Sequence, residues 1–132
     1  MGGDALKTLC AQKRTQMLRL REVSELTRQI AEAADRRDEL AIEMLLGERE
    51  APLRTAYETE MQIREELEKL PESEAIRLDA LLRGASAETE EETELADQVA
   101  QYRRLVGAII EMDKRLSLRL GGKGSFYEKF GK

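Results

Sequence analysis

The chain has no histidine and no tryptophan, and only one cysteine, two prolines and two phenylalanines among 132 residues. Each scarcity removes a class of function. Without histidine there is no imidazole general base, no Ser-His or Cys-His dyad, and no His-rich zinc or di-iron site. A single cysteine, Cys10, excludes an intramolecular disulfide and fits a reducing compartment. It adjoins Leu9 on an apolar edge, where a buried, inert thiol is expected. No apolar run approaches the ~18 residues of a membrane span. The first residues lack the apolar core of a signal peptide, so a cytoplasmic location is the expectation. Met1-Gly2 opens like a myristoylation motif, but the Ser or Thr that motif needs is Leu6. No glycine-rich loop precedes a helix. Gly121-Gly122-Lys123-Gly124 follows one, at the wrong end for holding a phosphate. Strand signals are nearly absent too, since no run alternates apolar and polar between turn residues.

Charge is abundant: 37% of residues are charged, against 4% aromatic. The net charge is −5, with both signs interleaved along most of the chain. A nucleic-acid binder needs a basic stripe to neutralise phosphates, and none is present. Glu, Arg, Leu and Ala at heptad spacing make the composition of long helices. The fold class is therefore all-α. The expected architecture is an antiparallel helical bundle of three long helices plus one short helix over residues 1–121, with a flexible aromatic tail over 122–132.

The strongest heptad lies in the last helix, at Leu95, Val99, Tyr102, Val106, Ile109, Leu116 and Leu120, with Asp113 interrupting it. Leu105, Ile110 and Met112 widen the face to what a bundle core requires. One helix cannot bury such a face, so the rest of the chain or another protein must cover it. Helix one is expected from about Asp4, its N-cap, to Ala34. Its register reads Leu6, Leu9, Lys13, Gln16, Leu20, Val23, Thr27, Ile30, Ala34. The polar members Lys13, Gln16 and Thr27 predict a helix at the edge of the bundle, or one with a solvent-exposed half. Residues 34–38 are read as a reversal, with a continuous helix as the competing reading. Either Asp35 or Asp38 could cap the next helix.

Helix two is expected from about Asp38 to Leu70, with its seam at Ile42, Leu46, Arg49, Leu53, Ala56, Glu60, Ile63, Leu67 and Leu70. Pro52 removes a backbone donor in mid-helix. The heptad phase nevertheless passes through it unshifted, which favours one kinked helix over two. Pro71 ends it, a short helix follows to Arg83, and Gly84 stops that. Thr89 to Glu92 fits a capping box opening the last helix, which explains the acidic run there better than a metal site does. Glu65 with Lys69 reads as a solvated ion pair. Arg49, Glu60 and Asp113 occupy seam positions, where they either pair across helices or mark where the seam opens to water.

No catalytic residue, metal ligand or cofactor site emerges. Ile110-Glu111-Met112-Asp113-Lys114-Arg115-Leu116 with Arg119 is faintly similar to the first helix of the all-helical chorismate mutases. The further basic residues that would grip two carboxylates are not recognisable. The tail holds Phe126, Tyr127 and Phe130 among glycines and lysines. So many rings in so short a stretch either fold back on the bundle or act as a docking peptide.

The layout resembles the flagellar export chaperones of the FlgN and FliT type. The likeness rests on Leu26-Thr27-Arg28-Gln29-Ile30, then Arg37-Asp38, then Leu45-Leu46-Gly47-Glu48-Arg49-Glu50. It rests also on the long helix from Tyr102 to Leu120 and on a tail with Phe126-Tyr127 and Gly131. The chain departs from the pattern at Glu88 to Glu94, where those families often carry an Asn-Gln-rich patch, and at Pro52. The resemblance implies a chaperone that receives the C-terminal helical segment of a hook-associated protein in an apolar groove. The partner-binding face would be Tyr102, Val106, Ile109, Met112 and Leu116. Tyr127 would help dock the loaded complex on the export apparatus, with Phe126 and Phe130 beside it. The competing reading is a structural or adaptor bundle, self-paired as an obligate homodimer.

Overall fold

The computed structural model describes residues 2–120. They form four helices and, among the described residues, no strand: α1 (Gly2–Asp35), α2 (Glu39–Glu68), α3 (Glu72–Leu82) and α4 (Thr93–Leu120). Asp4 lies in the first turn of α1, not at its N-cap, because the helix already begins at Gly2. Its carboxylate there still favours the positive end of the helix dipole.

The reversal after α1 is real, and α1 and α2 are separate helices. The Asp38 amide donates to the Ala33 carbonyl at 2.9 Å, and the Arg37 amide to that of Ala34 at 3.1 Å. This is a Schellman ending, which needs a left-handed residue just past the helix. That residue is Arg37, at φ 57°, where glycine is the usual occupant. Asp38 then caps α2, accepting from the Ala41 amide at 3.1 Å.

α2 runs through Pro52 as one helix, as its unbroken heptad phase predicts. It stops at Glu68, two residues before the expected Leu70. A proline disfavours helical backbone in the residue before it, and Pro71 follows Leu70. Lys69 pairs with Glu66 at 3.8 Å, one helical step from the expected partner Glu65. α3 begins right after Pro71 and ends in a second Schellman pattern, Ala85 to Ala80 at 2.9 Å and Gly84 to Leu81 at 3.0 Å. Here glycine holds the left-handed position, with φ 108°. A Cβ on Gly84 would also meet the Arg103 guanidinium at 2.6 Å, and Arg103 donates to the Arg83 carbonyl. The end of α3 is thus pinned to α4.

α4 begins at Thr93, so the capping box expected at Thr89 does not open it; Thr89 accepts from the Glu92 amide at 3.3 Å in a turn just ahead of the helix. Glu92 reaches back one residue further than expected, to the Glu88 amide at 2.9 Å. It also takes Arg77 of α3 at 2.7 and 3.1 Å, so the acidic run is tied to α3 by this clasp.

α1 packs along both α2 and α4, which approach each other only sparsely. It is therefore the central helix, and the edge position expected from its polar residues is wrong. Lys13, Gln16 and Thr27 are all buried. Around α1 the interior alternates. Leu6, Leu9 and Cys10 form one apolar cluster with Ile63, Leu67, Leu78, Leu81, Leu95 and Val99. Lys13 and Gln16 follow. Leu20 and Val23 join Leu53, Ala56 and Ile109 in a second cluster. Thr27 comes next, then buried Ile30 and Ala33. Each fully buried Leu or Ile contributes roughly 1.5–3 kcal/mol, so the clusters supply the cohesion and the polar layers set the alignment.

Candidate partner-binding site

The five seam residues of α4 do not share one environment. Ile109 is fully buried in the second apolar cluster, and Leu116 is buried too. Tyr102, Val106 and Met112 are only partly covered, and pack against that cluster from its edge together with Leu105 and Ile110. The strip predicted as one face is thus a buried line with a half-open margin. Phe126, Tyr127 and Phe130 lie outside the described residues.

Tyr102 marks where the margin meets the first polar layer. The Lys13 ammonium stands 3.3 Å above its ring centroid, a close cation–π contact. Lys13 also donates to Gln16 Oε1 at 2.8 Å. Gln16 Nε2 in turn donates to Glu60 Oε1 at 3.0 Å and to the Ala56 carbonyl at 3.3 Å. Glu60 lies 3.9 Å from Lys13 and accepts from Arg64 at 3.2 Å. Burial pushes the Lys13 ammonium down to about 8 despite the pull of Glu60. Burial and the Glu60 charge together push the Tyr102 phenol up from its ordinary value. This layer joins α1, α2 and α4 through one lysine.

The second polar layer is tighter. Arg49 of α2 donates through Nη1 to Asp113 Oδ1 of α4 at 2.9 Å and to Thr27 Oγ1 of α1 at 3.1 Å. The Thr27 hydroxyl donates its own hydrogen bond to the Val23 carbonyl at 2.6 Å. Both ionic side chains are about 97% withdrawn from water, so the layer is a built interior feature and no opening of the seam. Of the seam charges, Arg49 and Asp113 pair across helices in the interior, and Glu60 also pairs across helices, with Lys13 and Gln16 of α1, while remaining partly exposed. The missed partner was Thr27. Its place in the α1 heptad, opposite a seam arginine in α2, was the available signal.

Cys10 is buried, and burial with Glu94 nearby pushes its thiol up, as expected of an inert sulfur. Among the described residues no group of three or more His, Cys, Asp or Glu side chains is placed to hold a metal. Within the stretch similar to a mutase helix, Arg119 is engaged by Asp35 at 2.8 Å and Asp113 by Arg49 at 2.9 Å. No helix among the described residues is long and apolar enough to cross a membrane. Compared with known proteins, the chain matches no family model, no curated protein and no solved structure.

Proposed function

We propose that the chain is a cytoplasmic, non-enzymatic chaperone of the FlgN/FliT type, an antiparallel bundle of three long helices with α3 as its short fourth. In this reading it receives the C-terminal helical segment of a hook-associated protein and delivers it to the export apparatus. One observation carries it. Tyr102, Val106 and Met112 form a partly buried apolar margin on α4, packed against the cluster that holds fully buried Ile109. An amphipathic segment laid along such a margin would bury the remaining apolar surface.

Pull-down with C-terminal segments of hook-associated proteins tests the reading, and failure of every segment removes it. Ile109 is unsuitable for a binding test because a charge there would break the interior. Val106→Asp and Met112→Asp are expected to leave the helical content intact and abolish capture. Tyr127→Ala is expected to preserve capture and impair delivery.

A second reading has its own support. Ile109 and Leu116 are already covered by the chain itself, which suits a structural or adaptor bundle whose remaining margin pairs with a copy as a homodimer. Sedimentation separates the two: a compact monomer favours the chaperone, a tight dimer the adaptor.

A further inference from the structure

Between the C-terminal half of α2 and α3 runs a surface trough of about 640 Å³. Leu67 and Ala75 lie among its lining residues, with Met61 and Ile76 on its two sides. Met61 is 46% exposed and Ile76 64%, high values for large apolar side chains lining one surface depression. The charges around it are unevenly satisfied. Asp79 takes Arg83 at 2.8 Å and Arg64 at 3.7 Å, so the α3 carboxylate is covered by two guanidiniums. On the α2 side, Glu65 and Glu68 have no ion-pair partner among the described residues. The trough is apolar inside and carries uncompensated negative charge along one lip.

We infer that this trough docks an amphipathic helix whose apolar stripe lies between Met61 and Ile76 and whose Lys/Arg edge meets Glu65 and Glu68. The surface is separate from the α4 margin and needs no hook-associated client. Charge sets the occupant: the unpaired Glu65 and Glu68 carboxylates call for a cationic edge, and an amphipathic helix supplies that edge beside an apolar stripe. Methionine at the lip suits such a site, because its unbranched, polarizable side chain adapts to the incoming surface. The charge pattern sets the direction of preference, since like charge across an interface rejects the wrong partner.

Two synthetic helical peptides of about four turns test this. Both carry leucines at i, i+4 and i+7; one is edged with lysine, the other with glutamate. Fluorescence anisotropy against the full chain is expected to show the lysine peptide binding about tenfold more tightly, with a preference that weakens as salt is added. Ile76→Asp, at a mostly exposed position, is expected to abolish binding with unchanged circular dichroism. Glu65→Lys with Glu68→Lys is expected to reverse the preference. Glu43→Lys with Glu48→Lys, exposed on α2 away from the trough, is expected to leave it unaltered. Equal affinity for the two peptides, no binding of either, or the same loss from the Glu43/Glu48 pair overturns the inference. So does a wild-type dimer that Ile76→Asp dissolves, because a copy would then occupy the trough. Failure of hook-associated segments in the pull-down leaves these outcomes untouched.

Discussion

Arg49 and Asp113 are 64 positions apart in the chain and 2.9 Å apart in the fold, both buried, with Thr27 of the central helix completing their layer. The pair joins α2 to α4, the two long helices that otherwise meet least. A buried ion pair often adds little net stability, yet removing one partner strands the other in a dry interior.

The first prediction follows from that asymmetry. Arg49→Met or Asp113→Leu alone is expected to destabilise the fold by about 3–5 kcal/mol, and the double substitution is expected to regain most of the loss. Urea unfolding of the four proteins measures the cycle. Additive losses would show that the two side chains act separately.

Stability is predicted to pass through a maximum at alkaline pH. Lys13 has a folded value of about 8 against 10.5 in the open chain, so the unfolded state holds its proton more tightly. The resulting penalty is full below pH 8 and fades between 8 and 10.5, so stability rises there by at most about 3 kcal/mol. Tyr102 acts oppositely: its folded value is above 10.0, and stability falls as the unfolded phenol ionises beyond that pH. Denaturant midpoints measured from pH 7 to 11 trace this dome. In Lys13→Met the rising limb is expected to vanish while the fall remains.

At the acid end the group to watch is Glu92. Its hydrogen bond with Arg77, then that from the Glu88 amide, hold its carboxyl at about 2, below the ordinary 4.5. The stability contributed by the depressed value is present above pH 4.5 and lost as pH falls toward 2. Glu92→Gln is expected to flatten this limb and speed amide exchange through residues 85–92, where Arg77 and Glu92 hold the linker. An unchanged acid profile would show that the clasp contributes nothing to folding.

The two Schellman endings predict substitutions of opposite sign. Arg37 holds a left-handed conformation that costs a side-chain-bearing residue about 1 kcal/mol, so Arg37→Gly is expected to raise stability by up to roughly that amount. Gly84→Val is expected to lower stability by about 1–3 kcal/mol, through backbone strain and the collision with Arg103. Thermal unfolding of both variants checks the pair.

Much of the local structure was legible because it depends on neighbours in the chain. Pro71 and Gly84 bracket α3, Asp38 caps α2, and the unshifted phase through Pro52 predicts one helix where a proline argues for two. The α1 heptad was read correctly as a register and wrongly as an edge. Lys13, Gln16 and Thr27 are polar, and a polar residue in a seam has the same periodicity whether it faces water or a partner from another helix.

What the amino-acid order determined by itself was the helical period, the stops and caps, and which side of each helix turns inward, since these follow from interactions three to six residues long. Only the tertiary structure decided that α1 is central, that Thr27, Arg49 and Asp113 share one layer, and that a trough opens between Met61 and Ile76. Those outcomes depend on which helix faces which across long sequence separations, where desolvation penalties are offset by partners that a local pattern does not name.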